Sequence, residues 1–121
     1  LVNLTNLSPS QRKNRIAELM DQTGLSKSLL DTPVRKLSGG EQRRLALLRS
    51  LSISPEFLIL DEVTAGLDLI STEAVLQLLE KYEQEHDCAY LVITHDLQIA
   101  SRLCEVIYEI EHGKFTKKAV R

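Results

Sequence analysis

Tryptophan is absent from the 121 residues, and aromatic residues make up only 4% of them. An apolar content of 43% is enough for a core, which must therefore consist mostly of Leu, Ile and Val. No apolar run approaches the roughly 18 residues that a membrane-spanning helix needs. The formal net charge of -2 gives no electrostatic argument for nucleic-acid binding. The Arg12–Lys13 and Arg43–Arg44 pairs are expected to face water.

Cysteine is scarce, and the usual nucleotide-binding loop is absent. The two cysteines, Cys88 and Cys104, form no Cys-x-x-Cys and no Cys/His cluster, which argues against a zinc site or a disulfide framework. Both are expected to be reduced core thiols of a cytosolic protein. No Gly-x-x-x-x-Gly-Lys-Ser/Thr loop, whose backbone amides cradle nucleotide phosphates, occurs in the sequence. The first residue is Leu1 rather than Met, which suggests a piece of something longer.

Caps and apolar spacing predict the helices. Ser8 is suited to cap a helix that begins at Pro9, and Gly24 is a plausible stop. A short helix is expected over residues 27–30. Further helices are predicted from the glycines after Ser38 to residue 52, from a cap at Ser71 or Thr72 to residue 86, and over residues 97–104.

Short apolar runs between these helices predict strands over residues 57–60, 89–93 and 106–110, with an edge strand from residue 115. The first two are expected to be buried strands of a parallel sheet. Because strands alternate with helices, parallel pairing with right-handed crossovers is expected.

Polar residues follow the first two of these strands. Asp61 and Glu62 close the first strand, and His95 follows the second. At the carboxyl end of a strand, one carboxylate can hold Mg²⁺ through water and another can polarise an attacking water. A histidine at the same edge can hydrogen-bond a phosphate. Each feature alone is also compatible with solvated acids or a structural histidine.

Two further motifs lie around the first strand. Ser38, Gly39 and Gly40 precede a helix, where exposed amides form an anion site, although two glycines alone can be a simple loop. Asp68, in the sequence Ala-Gly-Leu-Asp, can be a helix cap or a turn former. The joint order of these features is much more specific than any one of them.

That order resembles the C-terminal part of an ATP-binding cassette (ABC) ATPase over essentially the whole chain. The resemblance implies an α/β fold: a P-loop NTPase-like parallel sheet with flanking helices, present as a partial domain. It implies part of a helical subdomain in residues 1–36 and the C-terminal part of the ATPase core in residues 37–121. The matched segments are the signature motif (37–41), the Walker B strand with its catalytic glutamate (57–62), the D-loop (65–68) and the switch histidine, His95.

The resemblance also implies roles. The catalytic residues would be Glu62 and His95, and Asp61 would bind the metal. The nucleotide-binding residues would be Ser38, Gly39, Gly40, Glu41 and Asp68. ATP and Mg²⁺ are implied, together with a second ABC ATPase domain whose ATP the signature motif would cover. Transmembrane permease subunits are the other implied partners, which would place the protein peripherally on the cytoplasmic face of the cell membrane.

Some positions depart from the common pattern of the family. Glu41 and Arg43 replace frequent glutamines, Val63 replaces a frequent proline, and Ala65 replaces a frequent serine of the D-loop. The Walker A loop, which precedes the helical subdomain in the family, is missing, so the piece alone is expected not to bind ATP.

Within the family, peptide and nickel importers are the most similar. The alternatives are a soluble ABC ATPase acting on nucleic acid or ribosomes, and a structural module with no activity of its own. The low net charge disfavours nucleic acid.

Overall fold

The structure is a computed structural model that describes residues 6–120, apart from the side chains of residues 22, 23, 119 and 120. The predicted domains include residues 1–5 and 121, which lie outside this description. None of the helices in the described part combines the length and apolarity that crossing a membrane requires. The elements are α1 (Pro9–Thr23), two 3-10 turns (Lys27–Asp31 and Val34–Lys36), α2 (Gly39–Leu51), β1 (Phe57–Asp61), α3 (Leu69–Glu85), β2 (Ala89–Ile93), α4 (Leu97–Leu103), β3 (Val106–Glu111) and β4 (Lys114–Val120).

The predicted caps of the first helix are present. Ser8 Oγ accepts a hydrogen bond from Gln11 N at 3.3 Å, and Gln11 Oε1 accepts one from Ser8 N at 2.9 Å. Two amides that the helix itself cannot satisfy are thus paired. Gly24 ends α1 in the left-handed region, with φ of 67°. Its amide caps the helix by donating to the carbonyls of Asp21 and Met20.

The predicted start of α3 is wrong by about one turn. Asp68, not Ser71 or Thr72, is the N-cap, and the helix begins at Leu69. The Asp68 carboxylate accepts a hydrogen bond from Ser71 N at 2.7 Å, as an acidic cap does for the third amide of a helix. The apolar residues that recur at helical spacing along α3 are buried: Val75, Leu78, Leu79 and Tyr82.

β1 and β2 pair in parallel, with Phe57 opposite Ala89 and Asp61 opposite Ile93. The parallel pairing is as predicted. The prediction that these strands are buried is correct for one face of the sheet only. Leu60 is 2% exposed on the inner face, whereas Phe57 and Ile59 are more than half exposed on the other. The inner face packs on the main core, whose buried members are Leu47, Leu51, Leu60, Val75, Leu76, Leu78, Leu79, Tyr82, Cys88, Ile99 and Leu103.

Among the described residues, β3 does not join the parallel sheet, so that prediction is wrong. β3 and β4 form a separate antiparallel pair. The connection is the two-residue turn His112–Gly113, in which both residues have positive φ (48° and 75°). Such a turn brings β4 alongside β3 at once, so the backbone of β3 is paired locally.

A smaller apolar cluster joins α1 to α2. Leu19, Met20, Leu25 and Leu48 are buried in it. The two cysteines are not joined by a disulfide; Cys88 is buried, and Cys104 is partly buried against the main core.

Candidate functional site

The carboxyl ends of β1 and β2 meet at one edge of the sheet. Glu62 N donates to Ile93 O at 2.9 Å, which extends the pairing of the strands by one residue. Glu62 itself has φ of 49°, a left-handed conformation that few residues other than glycine adopt. The chain therefore turns sharply at the residue predicted to be the catalytic glutamate. Open α/β sheets bind their ligands at this edge.

His95 contacts Glu62 directly at this edge. Glu62 Oε1 accepts a hydrogen bond from His95 N at 3.2 Å and lies 2.9 Å from His95 Nδ1. A ring nitrogen facing a carboxylate carries the proton, so Nδ1 donates and Nε2 is left for another partner. The two side chains predicted to be catalytic are thus brought together by the strand pairing, and their roles stay a prediction.

The carboxylate of Glu62 raises the pKa of His95 above its ordinary value, first by the hydrogen bond and then by its charge, to which Asp96 adds. The attraction is screened, because the His95 side chain is 84% exposed. Since the folded pKa is the higher one, this pair contributes its stability fully below the pKa of the unfolded imidazole. The contribution is lost as the pH rises through the folded pKa.

Asp61 is the last residue of β1, and it is exposed beside Glu62. Within residues 6–120, no group of three or more His, Cys, Asp or Glu side chains could hold a metal ion by itself. Mg²⁺ keeps several waters and is usually bound by one or two carboxylates together with phosphate oxygens. The donors present at this edge fit that ion, with Asp61 as the residue that would hold it.

Residues Ser38–Glu41, here called the signature turn, begin α2. Ser38 Oγ accepts from Glu41 N at 3.1 Å, and Glu41 Oε1 accepts from Ser38 N at 3.0 Å. The backbone and hydroxyl hydrogen bonds from Ser38, in that order, lower the pKa of Glu41, and the charge of Arg44 adds to them. This reciprocal pairing is a capping box, which satisfies two amides at the start of α2.

The glycines of the signature turn lie against Leu67 and the start of α3. A Cβ added to Gly40 would fall 2.4 Å from Ser71 Oγ and 2.6 Å from Ser71 Cβ. One added to Gly39 would meet only Leu67 Cδ2, at an ordinary 3.8 Å. Gly40 is therefore required by close packing inside the chain, whatever ligand the turn contacts.

Asp68 lies in sequence between Leu67 and Ser71, the residues that face these glycines, and its carboxylate caps α3. The hydrogen bonds from Ser71, backbone first, lower the pKa of Asp68. Its predicted contact with nucleotide would have to use the second carboxylate oxygen or the backbone. In the described part of the chain, no hydrogen bond or ion pair joins the side chains of the signature turn to Glu62 or His95. The candidate residues thus form two clusters.

Arg43 and Arg44 were predicted to face water, and this is wrong. Arg43 Nη1 donates to Glu62 O at 3.2 Å, and Arg43 Nη2 donates to Ala65 O at 3.4 Å. Arg44 is half-buried, and its Nε atom is inaccessible to solvent. Helical spacing places both arginines near the face of α2 that carries Gly40 and Leu47. This spacing was the feature of the sequence that could have indicated their contacts inside the chain.

The sequence profile of the ABC transporter family matches residues 2–65, more than half of the chain. The chain belongs to the ABC transporter family. The resemblance inferred from the signature motif, the Walker B strand and the switch histidine is thereby confirmed.

Relatives of this ABC transporter chain are longer than it. The nickel import ATP-binding protein NikE of Escherichia coli (strain K12) is 36% identical over 117 residues, which are 97% of this chain and 44% of NikE. The ATP-binding cassette MJ0796, solved as a dimer in a post-hydrolysis state with ADP and Pi, superposes with a TM-score of 0.79. It is 30% identical, with 95% of this chain and 50% of that one covered.

A third relative is cbiO1 from Clostridium perfringens, part of the ABC transporter complex cbiONQ. It has a TM-score of 0.78 and 30% identity, with 92% of this chain and 44% of that one covered. This chain thus spans about half the length of the relatives it matches. The α/β class and the partial ABC ATPase domain that were predicted are confirmed.

One ion-pair network of this ABC transporter chain was not predicted. Arg102, on α4, binds Glu73 through two nitrogens at 2.6 and 2.8 Å and also pairs with Glu80. The network joins the helix after His95 to the helix after Asp68. Sequence could not reveal it, because charged residues on helix faces are ordinarily solvated and the pairing depends on how α3 and α4 pack.

Proposed function

We propose that these residues form the C-terminal part of an ATP-hydrolysing subunit that powers membrane transport. The observation that carries the proposal is the contact between Glu62 and His95, beside Asp61, at the carboxyl edge of the parallel sheet. An acid, a histidine and a second carboxylate at one strand edge suit phosphoryl transfer, in which the protein mainly positions groups and stabilises charge.

In the proposed site, Glu62 orients and polarises the water that attacks the γ-phosphate of ATP. His95 holds Glu62 through Nδ1–H, and Nε2 can donate to a phosphate oxygen at the same time when the ring is doubly protonated. Asp61 would hold Mg²⁺ through its carboxylate. Bound Mg²⁺ neutralises charge that develops on the phosphates.

The signature turn is proposed to act on a second ATPase domain. The first amides of α2 form a positively polarised helix end, to which an anion can bind. The MJ0796 cassette was solved as a dimer, which supports this arrangement.

The outer face of the β1–β2 sheet supports the view that the ATPase core is incomplete here. Phe57, Ile59, Leu91 and Ile93 are each about half exposed on that face. Parallel sheets are usually covered on both faces. The relatives are about twice as long as this chain, and we propose that the remaining part of such a domain covers this face.

The transported substance is proposed to be a small solute that is imported, such as a metal ion or a peptide. NikE is named as a nickel import protein, and it is similar over 97% of this chain. Residues before Leu37 would contact transmembrane permease subunits on the cytoplasmic side of the membrane. Co-purification of the full-length protein with such subunits, against its retention on nucleic acid, would separate this function from the alternative on nucleic acid or ribosomes.

Measurements of ATP binding and hydrolysis on two proteins test the proposal. The 121-residue chain alone is expected to show no saturable binding of labelled ATP at millimolar nucleotide, because it has no phosphate-binding loop. A chimera that joins the N-terminal part of NikE to this chain is expected to bind ATP and to hydrolyse it when Mg²⁺ is present.

The control is the N-terminal part of NikE alone, which should not hydrolyse ATP. Saturable binding by the 121-residue chain would contradict the proposal that ATP binding requires a phosphate-binding loop from another part of the protein. A folded chimera that binds ATP but releases no phosphate would contradict the proposed catalytic role.

A further inference from the structure

The Arg43 side chain crosses from α2 to the turn that carries Glu62. Its two terminal nitrogens donate to different carbonyls of that turn, Glu62 O at 3.2 Å and Ala65 O at 3.4 Å. The guanidinium is rigid and planar, so two bonds fix the distance and the angle between the helix and the turn. The helix that it extends from begins at the signature turn.

The turn held by Arg43 has an unfavourable backbone conformation. Glu62 has φ of 49°, which costs energy for a side chain with a Cβ and persists only when its surroundings enforce it. Three backbone contacts do so: Glu62 N donates to Ile93 O, and Glu62 O accepts from Ala65 N at 3.1 Å and from Arg43. Of these donors, only Arg43 comes from outside the strands and the turn itself.

The conformation at Glu62 decides where its carboxylate lies. The Cα–Cβ bond changes direction when φ moves from the left-handed region to an ordinary value. With the present φ, Oε1 reaches both the backbone amide and Nδ1 of His95. If the turn relaxed, the carboxylate would move relative to the His95 imidazole, which follows the neighbouring strand β2.

We propose that Arg43 is a positioning residue that keeps Glu62 directed at His95 by holding the carbonyls of the 62–65 turn. The same contact links the signature turn, at the start of α2, to the acid of the chain's own site. The catalytic significance of this link rests on the proposed function, but the link itself exists in the chain without nucleotide.

NMR on the 121-residue chain tests the proposal. Arg43→Gln removes the guanidinium, and Arg43→Lys keeps the charge but provides a single nitrogen. In both variants the backbone amide signals of Glu62 and Ala65 are expected to shift. The His95 imidazole titration is expected to move in the direction produced by Glu62→Gln, and further in Arg43→Gln than in Arg43→Lys.

Arg49→Gln is the matched control, because Arg49 is an exposed arginine on the same helix. If Arg43 were purely stabilising, its substitution would lower the denaturation midpoint and leave the His95 titration of the folded molecules unchanged. That result would overturn the proposal. If Arg43→Gln does not fold, the His95 titration is compared between Arg43→Lys and the unsubstituted chain, and an unchanged titration overturns the proposal. The experiment needs no ATP, so failure of the proposed ATPase function would not affect its outcome.

Discussion

Replacing Glu62 by glutamine in the NikE chimera is expected to lower kcat for ATP hydrolysis by about 10²–10⁴-fold, the usual contribution of a general base. The amide keeps the size of the side chain but cannot accept a proton from water. The KM for ATP is expected to change little, since Glu62 is proposed to act on the attacking water rather than to bind nucleotide. Steady-state phosphate release measures both constants.

Glu83→Gln is the control for this substitution, because Glu83 is an exposed glutamate on α3, away from the sheet edge. It should leave kcat and KM unchanged. A Glu62→Gln chimera with normal kcat and raised KM would mean that Glu62 binds nucleotide and is not the general base.

Gly40→Ala is expected to destabilise the 121-residue chain by about 1–3 kcal/mol, the usual cost of adding a methyl group to a closely packed site. The new Cβ would lie 2.4 Å from Ser71 Oγ and 2.6 Å from Ser71 Cβ, so a rotation of the hydroxyl cannot relieve the clash. α2 and the start of α3 would have to separate. Urea denaturation measures the free energy of unfolding.

Two comparisons isolate this effect. Gly39→Ala should be nearly neutral, because its Cβ would meet only Leu67 at 3.8 Å. Ser71→Gly combined with Gly40→Ala should recover much of the lost stability, since the double substitution removes both clashing atoms. Equal stabilities of the Gly39→Ala and Gly40→Ala chains would show that the two helices are not packed as described.

Local chemistry explains why much of the fold could be predicted. Ser8 and Pro9 define the start of α1 by capping and a fixed φ, and the 89–93 apolar run defines β2, because both signals lie within a few residues of sequence. The convergence of Glu62 and His95 followed from a general property of parallel strands: their carboxyl ends share one edge.

The errors arose where several residues suit the same role, where two sequence signals conflict, or where packing between distant segments decides the outcome. Asp68, Ser71 and Thr72 are all good N-caps, and spacing did not choose among them. A charged residue on a helix is ordinarily expected to face water, as was predicted for Arg43. The packing of α2 on the 62–65 turn instead brings two carbonyls within its reach. The pairing of β3 was missed because the alternation of strands and helices outweighed the His112–Gly113 turn.

The most direct test of the candidate site is an NMR titration of His95 in the 121-residue chain. The structure predicts a His95 pKa above the ordinary value of about 6.5, and a lower one in Glu62→Gln, where the carboxylate charge is gone. His86 and His112, observed in the same spectra, would reveal any change that is not local. Identical His95 titrations in the two chains would show that the residues after β1 and β2 do not meet.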